Sequence, residues 1–101
     1  ELLTMIRERP VGALPPDVET RLWGFAERAG TLTGMERTIL QYYMGGYTVK
    51  DIPELARISA STVKTHNRNL YRKLGVDSFD ELKVYIELFA ACGRSGELLK
   101  R

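Results

Sequence analysis

The amino-acid sequence predicts an all-α domain of short helices, and two observations carry that prediction. No segment alternates apolar and polar residues for long enough to form a half-buried strand. Instead, apolar residues recur at helical spacing between residues that typically begin helices and glycines that typically end them. At 101 residues, 44% of them hydrophobic, the chain has the size of one domain with a modest core.

The first part of the chain is predicted to hold an appendage and one extra helix. Residues 1–16 are interrupted by prolines, and we expect them to form a linker with one short helix. Because the chain begins at Glu rather than Met, we interpret them as the end of an upstream region. Asp17 is the expected N-cap of the extra helix, which should end at Gly30. The helical domain is predicted to span residues 17–93, with a polar tail over residues 94–101.

Four further helices are predicted from local start and stop signals. Each begins with a Ser or Thr followed, three residues later, by a residue of the kind found in caps. In chain order the signals and ends are Thr33/Glu36 to Gly45, Thr48/Asp51 to Arg57, Ser59/Thr62 to Gly75, and Ser78/Glu81 to Gly93. Proline is tolerated in the first turn but not in a helix interior, so the second of these helices should either start near Asp51 or be distorted before Pro53. A short helix, a tight turn and a longer basic helix together describe a helix-turn-helix.

Charge is distributed unevenly along this chain, although its net charge is only +2. Between Leu55 and Val76 there are five Lys or Arg residues and no Asp or Glu. On a helical wheel of residues 61–74, the polar and cationic side chains lie opposite the apolar stripe of Val63, Leu70 and Leu74. An unpaired cationic face gives up ion pairs worth about 0.2–0.5 kcal/mol each. Binding to a polyanion such as nucleic acid therefore explains this face better than stability does.

Catalysis and metal binding have little support in the sequence. The only histidine, His66, has no neighbouring carboxylate or cysteine, and Cys92 is the only cysteine, so a structural zinc site and an internal disulfide are excluded. We expect no enzyme, no metal site and no cofactor. His66 should pack between core and surface, with a phosphate contact as the second interpretation. Asn67 lies near the inward stripe and, once buried, needs a hydrogen-bond partner.

Several motifs occur in one order and spacing that is typical of a known family. They are "LTGMERTIL", "TVKTH" and "KLGV", which lie within residues 32–92. This segment resembles the LuxR-type (FixJ/NarL-like) helix-turn-helix domain of bacterial transcription regulators. The resemblance implies a four-helix domain whose third helix, at about residues 60–74, enters the major groove of DNA. Two departures are an Asn at position 67 in place of an aliphatic residue and Pro53 in place of a small helical residue.

The resemblance also implies roles for individual residues. Side chains expected to reach base edges are Ser61, Lys64, Thr65 and Arg68. Side chains expected near phosphates are Thr48, Lys50, Thr62, Arg72 and Lys73, with His66 as a further candidate. The last helix often forms a dimer interface in this family, and its second apolar stripe here consists of Val84, Leu88 and Ala91.

The implied function is that of a DNA-binding output domain of a bacterial transcription regulator in the cytoplasm. We expect it to act as a homodimer on double-stranded promoter or operator DNA. RNA polymerase is a further candidate partner, and no membrane contact by this segment is expected. Two alternatives stay open: a sigma-factor-like promoter-recognition domain, and a helical module that binds another protein and not DNA.

Overall fold

The computed structural model describes residues 15–98, and within that range the chain forms five α-helices and two 3-10 helices with no strand. The α-helices are α1 (Pro16–Ala29), α2 (Gly34–Met44), α3 (Ile52–Ala56), α4 (Ala60–Leu74) and α5 (Phe79–Ala91). The predicted all-α fold, with one extra helix before a four-helix bundle, is confirmed. The short helix expected near the start of the chain lies outside the described residues. No helix of the described residues is long and apolar enough to cross a membrane.

The extra helix α1 begins earlier than the sequence predicted. Its N-cap is Pro15 and its first residue is Pro16, so the prediction of Asp17 as N-cap is wrong. Proline suits the first helical position because its φ angle is already helical and its missing N–H would have no partner there. Asp17 instead lies in the first turn, where a carboxylate interacts favourably with the helix dipole.

The predicted caps of α2 and α4 are confirmed. Thr33 and Glu36 exchange hydrogen bonds between side chain and backbone, which makes a complete capping box at the start of α2. The Ser59 hydroxyl accepts from the backbone N–H of Thr62 at the start of α4. Gly75 ends α4 with a φ of 76°, a conformation that costs glycine little.

The cap of α5 differs from the predicted capping box in one bond. The Ser78 hydroxyl accepts from the backbone N–H of Glu81, as expected. The Glu81 carboxylate, however, accepts from the backbone N–H of Asp77, one residue before the cap. Both bonds still satisfy backbone donors at the start of the helix, so α5 is well capped.

The short helix α3 begins where Pro53 allows it to. A 3-10 turn, Val49–Asp51, leads into Ile52, and Pro53 is the second residue of α3. In the turn that follows, Arg57 adopts a left-handed conformation with a φ of 56°. The backbone N–H of Ile58 donates to the carbonyl of Pro53 across that turn. Non-glycine residues rarely adopt this conformation, and no glycine marks the turn in the sequence.

Helix α4 is the centre of the fold, because it contacts α1, α2 and α3. The fully buried side chains include Leu22 and Phe25 of α1, Ile39 and Leu40 of α2, Leu70 and Leu74 of α4, and Leu82 and Phe89 of α5. Helix α1 is also tied to the end of α4 by a polar contact, in which Arg28 Nε donates to the carbonyl of Leu74 at 2.9 Å. The orientation of α4 is therefore set by packing on several sides.

The described part of the predicted polar tail packs against the helices. A second 3-10 helix, Ser95–Leu98, folds back against α1 and α5. Leu98 is fully buried there. Arg94 is paired with Glu97 and, at 2.8 Å, with Glu19 of α1. Burial of Leu98 and the ion pairs of Arg94 both contribute to holding this turn on the domain.

Candidate nucleic-acid interface

One face of α4 presents most of the side chains predicted to contact DNA. Its exposed residues are Ser61, Thr62, Lys64, Thr65, Arg68 and Arg72. The buried residues of α4 are Val63, Asn67, Leu70 and Leu74. In this regular helix of 15 residues, positions three or four apart share a face, so the two sets lie on opposite sides of α4. The sequence-based assignment of outward and inward residues on this helix is confirmed.

Lys64 and Arg68 lie one turn apart on this exposed face, and neither forms an ion pair within residues 15–98. A helix face built for stability alone would gain from neighbouring acids. Cations that are left exposed and unpaired are available to an anionic partner. The arrangement therefore favours Lys64 and Arg68 as the principal residues for contact with an anionic partner.

The hydroxyl groups at the start of α4 are held in place by a local network. Ser59 Oγ lies 3.1 Å from Ser61 Oγ and 2.8 Å from Thr62 Oγ1. Thr65 Oγ1 donates to the carbonyl of Ser61 at 3.3 Å. These bonds order the side chains of the first turn, while each hydroxyl keeps capacity for a further hydrogen bond.

The turn before α3 adds a third cation to the same region. Lys50 is exposed and lines one cleft together with Lys64 and Arg68. Thr48 is also exposed, but its backbone N–H and its hydroxyl both donate to Asp51 at 2.9 and 3.2 Å. The structure thus brings Lys50 beside the α4 face, whereas Thr48 serves first as a cap.

Comparison with known proteins identifies the family of this fold. Residues 30–86, more than half of the chain, match the family described as "Bacterial regulatory proteins, luxR family". The chain belongs to the LuxR family. The matched segment runs from Gly30, just before α2, through α4 and most of α5, so it contains the whole exposed cationic face. It is a helix-turn-helix domain of a DNA-binding regulator.

Curated relatives in this LuxR family include the Fimbriae Z proteins of Escherichia coli strains K12 and O157:H7. Each is 40% identical to the chain over 58 residues, which is 57% of this chain and 28% of the relative. The chain therefore spans less than a third of the length of these relatives. No solved structure matches the chain.

Lys73 differs from the other phosphate contacts predicted in this LuxR-family domain. Its Nζ lies 2.7 Å from Oε1 of Glu36, whose side chain is only 4% exposed. Glu36 lies in α2, so the residues that neighbour Lys73 along α4 give no sign of this partner. Glu36 has few other ways to satisfy its charge, so the structure favours a structural role for Lys73 over a phosphate contact.

The Glu36–Lys73 pair also affects the acid–base behaviour of the domain. Burial is the largest single influence on Glu36 and raises the pKa of its carboxyl. The hydrogen bonds and charge of Lys73, together with hydrogen bonds from Thr33, outweigh it and leave the pKa below the ordinary 4.5. The ionised form is therefore the one that the fold stabilises.

A Glu36→Gln variant should be less stable at neutral pH by about 1–3 kcal/mol, because the charged partner of Lys73 is lost. A lowered folded-state pKa contributes stability above the unfolded value of 4.5, and that stability disappears as pH falls through the folded-state pKa. The difference between wild type and variant should therefore shrink on acidification. Urea unfolding at several pH values measures it. Glu27→Gln, at an exposed carboxyl, is the control, and a Glu36→Gln effect as small as this control would contradict the role of the pair.

His66 and Asn67 lie at the boundary between the exposed face and the core. His66 is half-buried, consistent with the expected packing role. Asn67 is 8% exposed, and its Oδ1 accepts a 2.7 Å hydrogen bond from the hydroxyl of Tyr43 in α2. The expected partner of this buried amide is therefore confirmed. Burial raises the pKa of Tyr43 to about 12, so its hydroxyl stays protonated and able to donate at neutral pH.

Removal of the Tyr43 hydroxyl should destabilise the domain by about 1–3 kcal/mol, because Asn67 Oδ1 loses its buried donor. Chemical unfolding of Tyr43→Phe measures the loss. Tyr47→Phe, at a 45% exposed tyrosine, is the matched control and should change little. In the double variant Tyr43→Phe/Asn67→Val both partners become apolar, so much of the stability should return. If the double variant is less stable than Tyr43→Phe, the hydrogen bond is not the source of the loss.

The second apolar stripe predicted on α5 is only partly exposed. Val84 is 40% exposed and Ala91 is exposed, but Leu88 is fully buried. The prediction that Leu88 belongs to an open interface stripe is therefore wrong. Phe25 of α1 and the Ser95–Leu98 turn both contact α5, so part of its apolar surface is covered.

The described part of the chain contains no candidate metal site. Within residues 15–98, no group of three or more His, Cys, Asp or Glu side chains could hold a metal ion. Cys92 is half-buried, and burial raises the pKa of its thiol above the ordinary 9.0, so its thiolate is disfavoured.

Proposed function

We propose that this chain is the output domain of a bacterial transcription regulator and that α4 reads DNA sequence from the major groove. The observation that carries the proposal is that Lys64, in the N-terminal half of α4, and Arg68, one turn further on, are exposed and form no ion pair within residues 15–98. In helix-turn-helix proteins the N-terminal part of the recognition helix lies nearest the base edges. Arg and Lys reach the O6 and N7 acceptors of guanine, so a G-containing site is expected.

Other residues support the same orientation on DNA. Arg72 lies one turn beyond Arg68 on α4, and Lys50 lines a cleft with Lys64 and Arg68, so both exposed cations can contact phosphates. Ser61 lies in the first turn of α4 and its hydroxyl can donate to bases or phosphates, whereas the hydroxyl of Thr65, which donates to the carbonyl of Ser61, can accept from a base. Phosphate contacts position the protein without specifying sequence, so these groups supply affinity while Lys64 and Arg68 supply preference.

We further propose that the domain acts as a homodimer on promoter DNA in the cytoplasm, with RNA polymerase as a downstream partner. The part of the predicted interface that remains exposed is Val84 and Ala91. An interface centred on so little apolar surface should be weak without DNA. Two half-sites on one duplex would then bring the copies together through high local concentration.

Selection of sites from a random pool of double-stranded DNA tests the proposed function. We expect one enriched motif that contains G, with two half-sites if the dimer forms. Affinity for that motif should fall steeply with salt, and Arg72→Ala should reduce the salt slope by about one while keeping the motif. Enrichment of no motif, together with no gel retardation at low salt, would contradict DNA binding and favour a protein-interaction module.

A further inference from the structure

A cleft of about 730 Å³ lies between α4 and the 3-10 turn that precedes α3. Its lining is largely apolar and includes Val49, Pro53, Ala60, Val63 and Tyr71. The volume falls within the range of about 300–1,000 Å³ that is typical of small-molecule sites. Such a cleft in a small helical domain is large enough for an apolar ligand body.

The charged groups of this cleft all have one sign. Lys50, Lys64 and Arg68 line it, and no acidic side chain among residues 15–98 does. None of the three forms an ion pair within residues 15–98, so their charges are available. Cations beside an apolar surface select a ligand that combines an anionic head with an apolar body.

A polar group at the cleft can orient such a head. Asn67 lines the cleft and is nearly buried. Its Oδ1 already accepts a hydrogen bond from the hydroxyl of Tyr43, so the NH2 group of the amide is the donor that remains available. An NH2 donor beside cations suits a carboxylate or sulfonate oxygen.

A DNA backbone would match the cations of the cleft but not its apolar lining. Phosphates and sugars would meet the cations, but they carry little apolar surface to place against lining residues such as the exposed Val49 and the half-buried Tyr71. The lining therefore matches an amphipathic anion better than it matches a nucleic-acid backbone.

We propose that this cleft binds a small amphipathic anion, with its head at Lys64 and Arg68 and its apolar body against Val49 and Tyr71. Lys64 and Arg68 are also the proposed base contacts, so ligand and DNA compete for the same side chains. The competition rests on the proposed DNA-binding function, whereas ligand binding itself does not.

Fluorescence titration of the chain with 8-anilinonaphthalene-1-sulfonate, without DNA, tests the site. The neutral N-phenyl-1-naphthylamine has the same ring system without the sulfonate and is the matched probe. We expect one site for the sulfonate and at least about tenfold weaker binding of the neutral probe. Equal affinity for the two probes, or no binding of the sulfonate, would overturn the proposal.

Three variants locate the site, with circular dichroism as a check on folding. Ala60→Phe should abolish sulfonate binding, because Ala60 is an exposed residue of the lining and a larger side chain fills the cleft. Lys50→Gln should weaken it severalfold, and Lys83→Gln on α5 should leave it unchanged. Unchanged binding in folded Ala60→Phe would place the probe elsewhere and refute the proposal.

Competition is measured by displacement of a fluorescent DNA duplex that carries the selected motif. The sulfonate should displace DNA from wild type but not from Ala60→Phe. Failure to displace DNA while the sulfonate fills its site would overturn the shared use of Lys64 and Arg68. If the chain bound no DNA at all, the proposed function would fail, while the titrations without DNA would still decide the ligand site.

Discussion

Replacement of both Lys64 and Arg68 by Ala should remove the sequence preference of the domain and weaken binding to its selected motif by roughly 30-fold or more. Each bidentate contact to a base is worth about 1–3 kcal/mol, and each 1.4 kcal/mol is a factor of ten. Both side chains are exposed and lack an acidic partner in residues 15–98, so the fold should not depend on them. Gel shifts with the selected motif and with a scrambled duplex measure the two effects.

A matched lysine separates base contacts from loss of charge. Lys83 is exposed on α5, away from the α4 face, and Lys83→Ala removes the same charge as Lys64→Ala. We expect Lys64→Ala to relax preference at one base position and Lys83→Ala to leave the motif unchanged. Equal losses for the two duplexes in the Lys64/Arg68 double variant would show that these cations contact only phosphate. Unchanged binding would mean that α4 is not the recognition helix.

Truncation of Phe25 to Ala should destabilise the domain by about 3–5 kcal/mol. Phe25 is fully buried, stacks on Tyr85 at 4.3 Å between ring centroids and lies 5.8 Å from Phe89. It therefore joins α1 to α5. Domains are usually stable by only about 5–15 kcal/mol, so this loss is a large part of the total. Urea unfolding followed by circular dichroism measures it.

The Phe25 prediction tests whether α1 belongs to the cooperative unit, because the family match begins only at residue 30. Trp23 lies two residues earlier on the same helix and is 60% exposed, so Trp23→Ala is the control. Its cost should stay within about 0.5 kcal/mol. If Phe25→Ala costs no more than Trp23→Ala, α1 unfolds separately and the domain proper begins at α2.

Local signals in the sequence predicted most of the helices correctly. The caps at Thr33 and Ser59 were predictable because each is a hydrogen bond between residues three positions apart. The same holds for the start of α3, where the ring of Pro53 restricts the backbone whatever the surrounding fold. Asp17 was misassigned because two prolines before it compete for the helix start, and a cap pattern alone does not rank them.

Other features depend on residues that are far apart in the sequence. The sequence of α4 alone predicts that Lys73 is an unpaired cation. In the structure it pairs with Glu36 of α2, which lies 37 positions earlier in the chain. Leu88 was predicted to lie on the open side of an amphipathic helix, but it is fully buried in the folded domain. The hydrogen bond of Arg28 to the end of α4 has no signal in either segment. Such contacts follow from the packing angles of the helices, which local patterns do not encode.

The sequence by itself determined which residues form helices, which face of α4 points outward and to which family the motifs belong. These follow from hydrogen bonds and periodicity within a few residues, and they were enough to predict a DNA-binding domain. Only the tertiary structure decided which cations are free, which partner Asn67 has and that Lys50 shares a cleft with Lys64 and Arg68. The physical reason is that availability of a charge or a cavity depends on what packs beside it, and that neighbour comes from another helix.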